Sequence, residues 1–124
     1  MFYNYTRQNG LWPREVAALD PDKEPEKLAQ FSPIRHITKE FPPTLLLHGD
    51  KDTDVPFEES VRMAAALKKV GVPHQFIRMR DYDHLFDVFP RGWTTDAEPL
   101  GLKDPQVAAA YDDVVGFLRK HVGR

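Results

Sequence analysis

The sequence predicts an α/β fold in which parallel strands are joined and flanked by helices, and three stretches carry that prediction. Leu45, Leu46 and Leu47 follow Pro42-Pro43 without alternation, and His48-Gly49 ends the run. A short unbroken apolar run between turn residues is the pattern of a strand buried on both faces, as in a parallel sheet. From Glu58 to Val70 the chain has Glu58 and Glu59 in the first turn, Lys68 and Lys69 in the last, then Gly71 and Pro73. Charges so placed complement a helix dipole, and the glycine supplies a left-handed stop. His74 to Arg80, centred on 75–80, alternates in character and reads as a second strand with one face partly exposed or near a sheet edge. A right-handed crossover through the 58–70 helix makes the strands at 44–48 and 75–80 parallel. Their carboxyl ends then emerge at one edge.

The other elements follow in order. Residues 1–31 read as a lid-like or connecting segment, rich in aromatics and turn formers: Phe2, Tyr3, Tyr5, Asn9-Gly10, Trp12, Pro13 and Pro21. A helical turn is expected over Arg14–Leu19. A short helix is expected over Asp22–Phe31, with Pro25 in its first turn and Leu28 and Phe31 on one face. Ser32-Pro33 ends it, and Ile34 and Ile37 continue the apolar face through a second turn; His36 reads as a surface histidine. In the 58–70 helix, Val61, Ala64, Ala65 and Leu67 form the expected apolar stripe. Phe86 to Leu102 reads as a loop containing Phe89, Trp93 and Leu100. Asp104 caps a helix over 105–122 with Pro105 at its first position. Its expected buried stripe is Val107, Tyr111, Val114, Val115, Leu118 and Val122, with His121 as a solvated helix end.

Composition narrows the function. At 124 residues the chain is one domain or part of one. With 17 basic and 19 acidic side chains, nothing calls for a nucleic acid or an anionic membrane as partner. With no cysteine, disulfides and thiolate chemistry are excluded. No apolar run reaches membrane-spanning length, and the residues after Met1 are not a signal peptide, so a cytoplasmic compartment is the default expectation.

The chemistry gathers after the first strand, where Asp50, Asp52 and Asp54 alternate in a turn closed by Val55-Pro56. Open α/β sheets place ligands and catalytic groups just beyond such a strand end. The pattern H-G-x-x-D-x-x-V-P, formed by His48, Gly49, Asp52, Val55 and Pro56, resembles the acid-bearing turn of α/β-hydrolases of the esterase and prolyl-oligopeptidase-like type. The Ser32-Pro33-Ile34 lead-in is similar to that family as well. The resemblance implies that Asp52 is the acid of a Ser-Asp-His triad and that His84, in Asp83-His84-Leu85-Phe86, is its base. Leu85 departs from the family's usual glycine. The resemblance runs from about Ser32 to the end and implies the C-terminal portion of an α/β-hydrolase fold, with 32–124 bearing the acid and histidine.

In such a triad a carboxylate fixes the imidazole tautomer and stabilises the imidazolium, and the order along the chain is serine, acid, histidine, with the serine in G-x-S-x-G. Asp52 and His84 keep that order. The only serines are Ser32, before a proline, and Ser60, inside the predicted helix; neither is flanked by glycines. The resemblance therefore implies that the nucleophile and oxyanion hole lie outside this chain, that the chain alone is inactive, and that it associates with an upstream half or with itself. Trp12 and Phe86 are candidates to line a substrate pocket. His48 reads as structural, its ring bonding nearby backbone. The three alternating acids mimic the start of an EF-hand loop, but its sixth and twelfth positions hold Val55 and Val61 instead of Gly and Glu, so no metal is expected; no cofactor is called for. Two function classes stand: a serine hydrolase acting on small-molecule esters or short peptide-like substrates, and a non-catalytic hydrolase-derived module for binding or oligomerisation. An upstream G-x-S-x-G would favour the first.

Overall fold

The computed structural model describes residues 11–20, 22–87 and 103–123. The expectations for Phe2, Tyr3, Tyr5, Asn9-Gly10, Pro21, Phe89, Trp93 and Leu100 fall outside these residues, as does the side chain of Trp12. In order, the elements are α1 (Trp12–Ala17), α2 (Pro25–Ala29), a 3-10 turn (Pro33–His36), β1 (Thr44–Gly49), α3 (Phe57–Val70), β2 (His74–Met79) and α4 (Pro105–His121).

β1 and β2 pair in parallel, in register from Thr44 with His74 to Gly49 with Met79. The alternation of side chains across a sheet then decides the layers. Leu47 and Ile77 turn toward α4 and pack on Met79, Phe86, Val107 and Ala110, with Tyr82 alongside. Phe76 turns the other way and stacks on Phe57 of α3, at 5.4 Å between ring centroids. Helices thus cover both faces of the strand pair, with the fully buried Leu67 anchoring α3.

The ends of the helices follow from local chemistry. Gly71 takes φ +77°, and its N–H donates to the last-turn carbonyls of Leu67 and Lys68. Asp104 caps α4 by accepting from the Gln106 and Val107 N–H groups. It also accepts from the Tyr82 hydroxyl at 2.7 Å, which ties the helix to the loop after β2.

Several faces differ from the sequence expectation. The second helix is only Pro25–Ala29, and Phe31 beyond it is 67% exposed instead of sharing a packed face with Leu28. In α3, Val61 and Ala65 are exposed; Met63, Ala64, Ala66 and Leu67 turn inward. In α4, Tyr111, Val115, Leu118 and Val122 are exposed, while the inward stripe is Val107, Ala110, Val114 and Phe117. Two adjacent apolar stripes run along α4, and packing of Val107 and Ala110 on Met79 and Phe86 selects one. His121 is not a solvated end: it is half-buried, its ring 4.5 Å from that of Phe117. His36 is exposed as expected, its Nε2 within 2.7 Å of the Gln30 carbonyl.

Candidate active site

Two loops leave the same edge of the sheet, residues 50–56 after β1 and 80–86 after β2, and they are tied together mainly through backbone and carboxylates. Gly49 makes the approach possible. A Cβ built there would lie 2.3 Å from the Tyr82 carbonyl oxygen, which is impossible for any other residue without displacing the second loop. The Asp50 N–H donates to the Met79 carbonyl and the Lys51 N–H to the Tyr82 carbonyl. Asp50 accepts from the Asp81 N–H at 2.7 Å and from both Nε and Nη2 of Arg78 at 2.8 and 2.7 Å. Asp83 reaches back, its Oδ1 accepting from the Thr53 N–H at 2.9 Å and from the His84 N–H at 2.7 Å. Of the three alternating acids, Asp50 is therefore a loop clasp; the Arg78 guanidinium and the Asp81 N–H hold its carboxyl below the usual carboxylate range.

Asp52 is held more completely. Its Oδ1 accepts from the Asp54 and Val55 N–H groups at 2.8 and 2.7 Å, a local turn in which aspartate bonds its own following backbone. Its Oδ2 lies 2.9 Å from Nδ1 of His84. The Asp52 side chain is 6% exposed and that of His84 37%. Burial opposes the charge on Asp52. The Val55 N–H, the His84 ring and the Asp54 N–H outweigh it, so the carboxyl titrates below its ordinary range. The bond from Asp52 raises His84 above an ordinary histidine, against a smaller opposing effect of burial. Among the described residues no group hydrogen-bonds His84 Nε2, so the ring is fixed on one side and available on the other.

These residues line a concavity of about 240 Å³ with Leu47, His48, Val55, Leu85, Phe86 and Asp87. The expected approach of Asp52 to His84 through Nδ1 is present, and neither Asp50 nor Asp54 takes its place. Phe86 has a double position: it is 8% exposed in the core and also lines the concavity. Ser60 lies within α3, and its hydroxyl is 2.7 Å from Nδ1 of His48. His48 bonds backbone, as expected, with Nε2 3.2 Å from the Val55 carbonyl. It also stands 3.2 Å from Asp52 Oδ2, a contact the sequence reading missed. The available signal was the four-residue step from His48 to Asp52 across a tight turn.

The model of the prolyl oligopeptidase family matches residues 1–123. The chain belongs to that family. Within this family member, the strand pair and helices resemble a solved carbohydrate esterase from gut microbiota, with a TM-score of 0.62 at 27% identity, covering 85% of this chain and 31% of that one. Curated relatives include esterase LipQ of Mycobacterium tuberculosis, 36% identical over 88 residues, which is 70% of this chain and 18% of the esterase. Another is the non-reducing polyketide synthase pkbA of Emericella nidulans, 35% identical over 85 residues, which is 65% of this chain and 3% of the synthase. The chain thus spans a small part of the length of the relatives it matches. The fold is part of an α/β-hydrolase, as the resemblance in the H-G-x-x-D turn implied, and the family-level class is hydrolase. No described helix is long and apolar enough to cross a membrane.

Proposed function

We propose that this prolyl oligopeptidase family member supplies the acid and base of a serine hydrolase acting on carboxylic esters or peptide-like bonds. Asp52 orients His84, and His84 Nε2 takes the proton of a serine hydroxyl and returns it to the leaving group. The observation that supports this best is the 2.9 Å contact of His84 Nδ1 with a buried, backbone-anchored carboxylate. That arrangement fixes the imidazole tautomer needed for general-base work and stabilises the imidazolium that follows. Esters are the first substrate class to try, because an esterase is among the curated relatives and a carbohydrate esterase among the structural ones.

The attacking serine and the oxyanion donors would come from a polypeptide outside these 124 residues, since Ser32 and Ser60 are not in a G-x-S-x-G setting. The test is hydrolysis of p-nitrophenyl acetate by the 124-residue chain and by a longer chain that adds an upstream G-x-S-x-G segment. The short chain should show only a non-saturable imidazole background. The longer one should turn over saturably and lose on the order of 10⁴-fold in kcat on Asp52→Asn and on the order of 10⁶-fold on His84→Ala. Burst kinetics from the short chain, or a longer chain indifferent to both substitutions, would overturn the reading. The second outcome would favour the non-catalytic binding or oligomerisation module.

A further inference from the structure

The Asp52 carboxylate has a second imidazole beside it, and the hydrogen bonds around that ring determine which atom faces the acid. His48 is 8% exposed at the end of β1, with the Phe57 ring edge-on to it at 5.6 Å between centroids. Its Nδ1 is 2.7 Å from Ser60 Oγ. Its Nε2 is 3.2 Å from the Val55 carbonyl oxygen and 3.2 Å from Asp52 Oδ2. Two acceptor oxygens flank Nε2, so a lone pair there would face two partial negative charges. The proton therefore sits on Nε2, and the Ser60 hydroxyl, which can donate or accept, donates to Nδ1. The buried ring directs its Nε2–H to the Val55 carbonyl, and Asp52 Oδ2 stands beside that nitrogen at the same 3.2 Å.

We propose that His48 is a positioning residue for Asp52, holding Oδ2 in place from the rigid β1–α3 side of the site. This rests on the Asp52–His84 reading above. The two bonds to Oδ1 come from Asp52's own turn and move with it. His84 sits on the other loop, beside Leu85 at φ +57°. His48 alone among these partners is on a strand and is fixed in turn by a helix side chain. A group that orients a catalytic carboxylate from a rigid element keeps it aimed while the base changes protonation. Ser60 thereby acquires a role as well: it sets the His48 tautomer from α3, and is not a nucleophile.

The experiment is ¹⁵N NMR titration of the histidine-labelled full chain, reading His84 in the wild type and in four variants, with circular dichroism to establish folding. His84 faces the charges of Asp52, Asp54 and Asp83, which all variants but Asp52→Asn retain. His48→Phe keeps ring volume but removes both nitrogens. It should lower the His84 midpoint by about half a unit or more, roughly a threefold loss of proton affinity, and broaden its Nδ1–H signal. Ser60→Ala should give a smaller change of the same sign. His48→Gln, which keeps an N–H near the Nε2 position, should restore most of the wild-type midpoint. Folded His48→Phe and Ser60→Ala chains with a wild-type His84 titration would overturn the inference, and Ser60→Ala decides alone if His48→Phe does not fold. Asp52→Asn separates the two claims. If it leaves His84 unchanged, the acid–base pair itself is absent; if it lowers the midpoint while the other variants do not, only the role of His48 fails.

Discussion

A carboxylate and an imidazole that share a hydrogen bond favour each other's charged forms, and this makes the site visible in the pH dependence of stability. The folded His84 titrates above its unfolded value, so its contribution is full below about pH 6.5 and fades as pH rises through the raised value. The folded Asp52 titrates below its unfolded value, so its contribution is full above about pH 4 and fades as pH falls through the lowered one. Both are present between about pH 4 and 6.5. The melting temperature of the wild type minus that of Asp52→Asn should be largest in that window and shrink on both sides. A difference that is flat from pH 3 to pH 9 would contradict the pairing. At Gly49 the prediction is steric. Alanine there meets the Tyr82 carbonyl at 2.3 Å, and main chain cannot swing aside as a side chain can. Gly49→Ala should cost about 3 kcal/mol or more in urea unfolding, with the two loops parted. Leu85 shows the converse case. It stands where the family's turn usually has glycine and still adopts φ +57°, a conformation that costs a side-chain-bearing residue about 1–2 kcal/mol.

At the scale of elements, the two long helices contribute to the site through their ends. α3 begins immediately after the acid-bearing turn, and Ser60 projects from its first turns onto His48. α4 begins at Asp104, whose carboxylate holds two backbone N–H groups and the Tyr82 hydroxyl. Its first turns bury Val107 and Ala110 against Phe86, two residues after His84. Asp104→Ala should therefore destabilise the chain by about 1–2 kcal/mol, the cost of one cap and one side-chain bond. Asp104→Asn should recover most of it. Hydrogen exchange should quicken in the 80–86 loop as well as in the first turn of α4. If the faster exchange stays within the helix, the helix does not support the loop.

For the whole molecule, the exposed surface carries the prediction. Among the described residues the sheet has two strands, so the second edge of β1 has no strand beside it. Open edges next to apolar sequence are templates for association. The outer stripe of α4 adds Val115, Leu118 and Val122 at 42%, 49% and 74% exposure, a contiguous apolar row of the kind that marks interaction surfaces. Light scattering at micromolar concentration should show species larger than the monomer. Leu118→Lys together with Val122→Lys should shift the distribution toward monomer if α4 contributes, and leave it unchanged if the β1 edge dominates. A clean monomer with cooperative unfolding would show that both surfaces are covered within the chain.

The resemblance to the hydrolase turn singled out Asp52, His84 and the Nδ1 contact; the residues by themselves determined the strands, the parallel crossover, the helix stop at Gly71, the helix start at Asp104 and the emergence of both turns at one edge. These rest on local chemistry and on one topological rule: turn residues, dipole charges and caps act within a few positions, and right-handed crossover brings two strand ends to one edge. The sequence could not determine which stripe of α4 faces the sheet, because Val107-Ala110-Val114 and Tyr111-Val115-Leu118 are both apolar and only packing on Met79 and Phe86 distinguishes them. Nor could it show that Phe31 stays exposed, that His121 folds onto Phe117, or that Asp50 clasps Arg78 while Asp52 turns inward. The contact of His48 with Asp52 was likewise decided by tertiary structure. They are four positions apart in the chain, but the tight turn after β1, with Gly49 against Tyr82, is what folds the carboxylate back onto the ring.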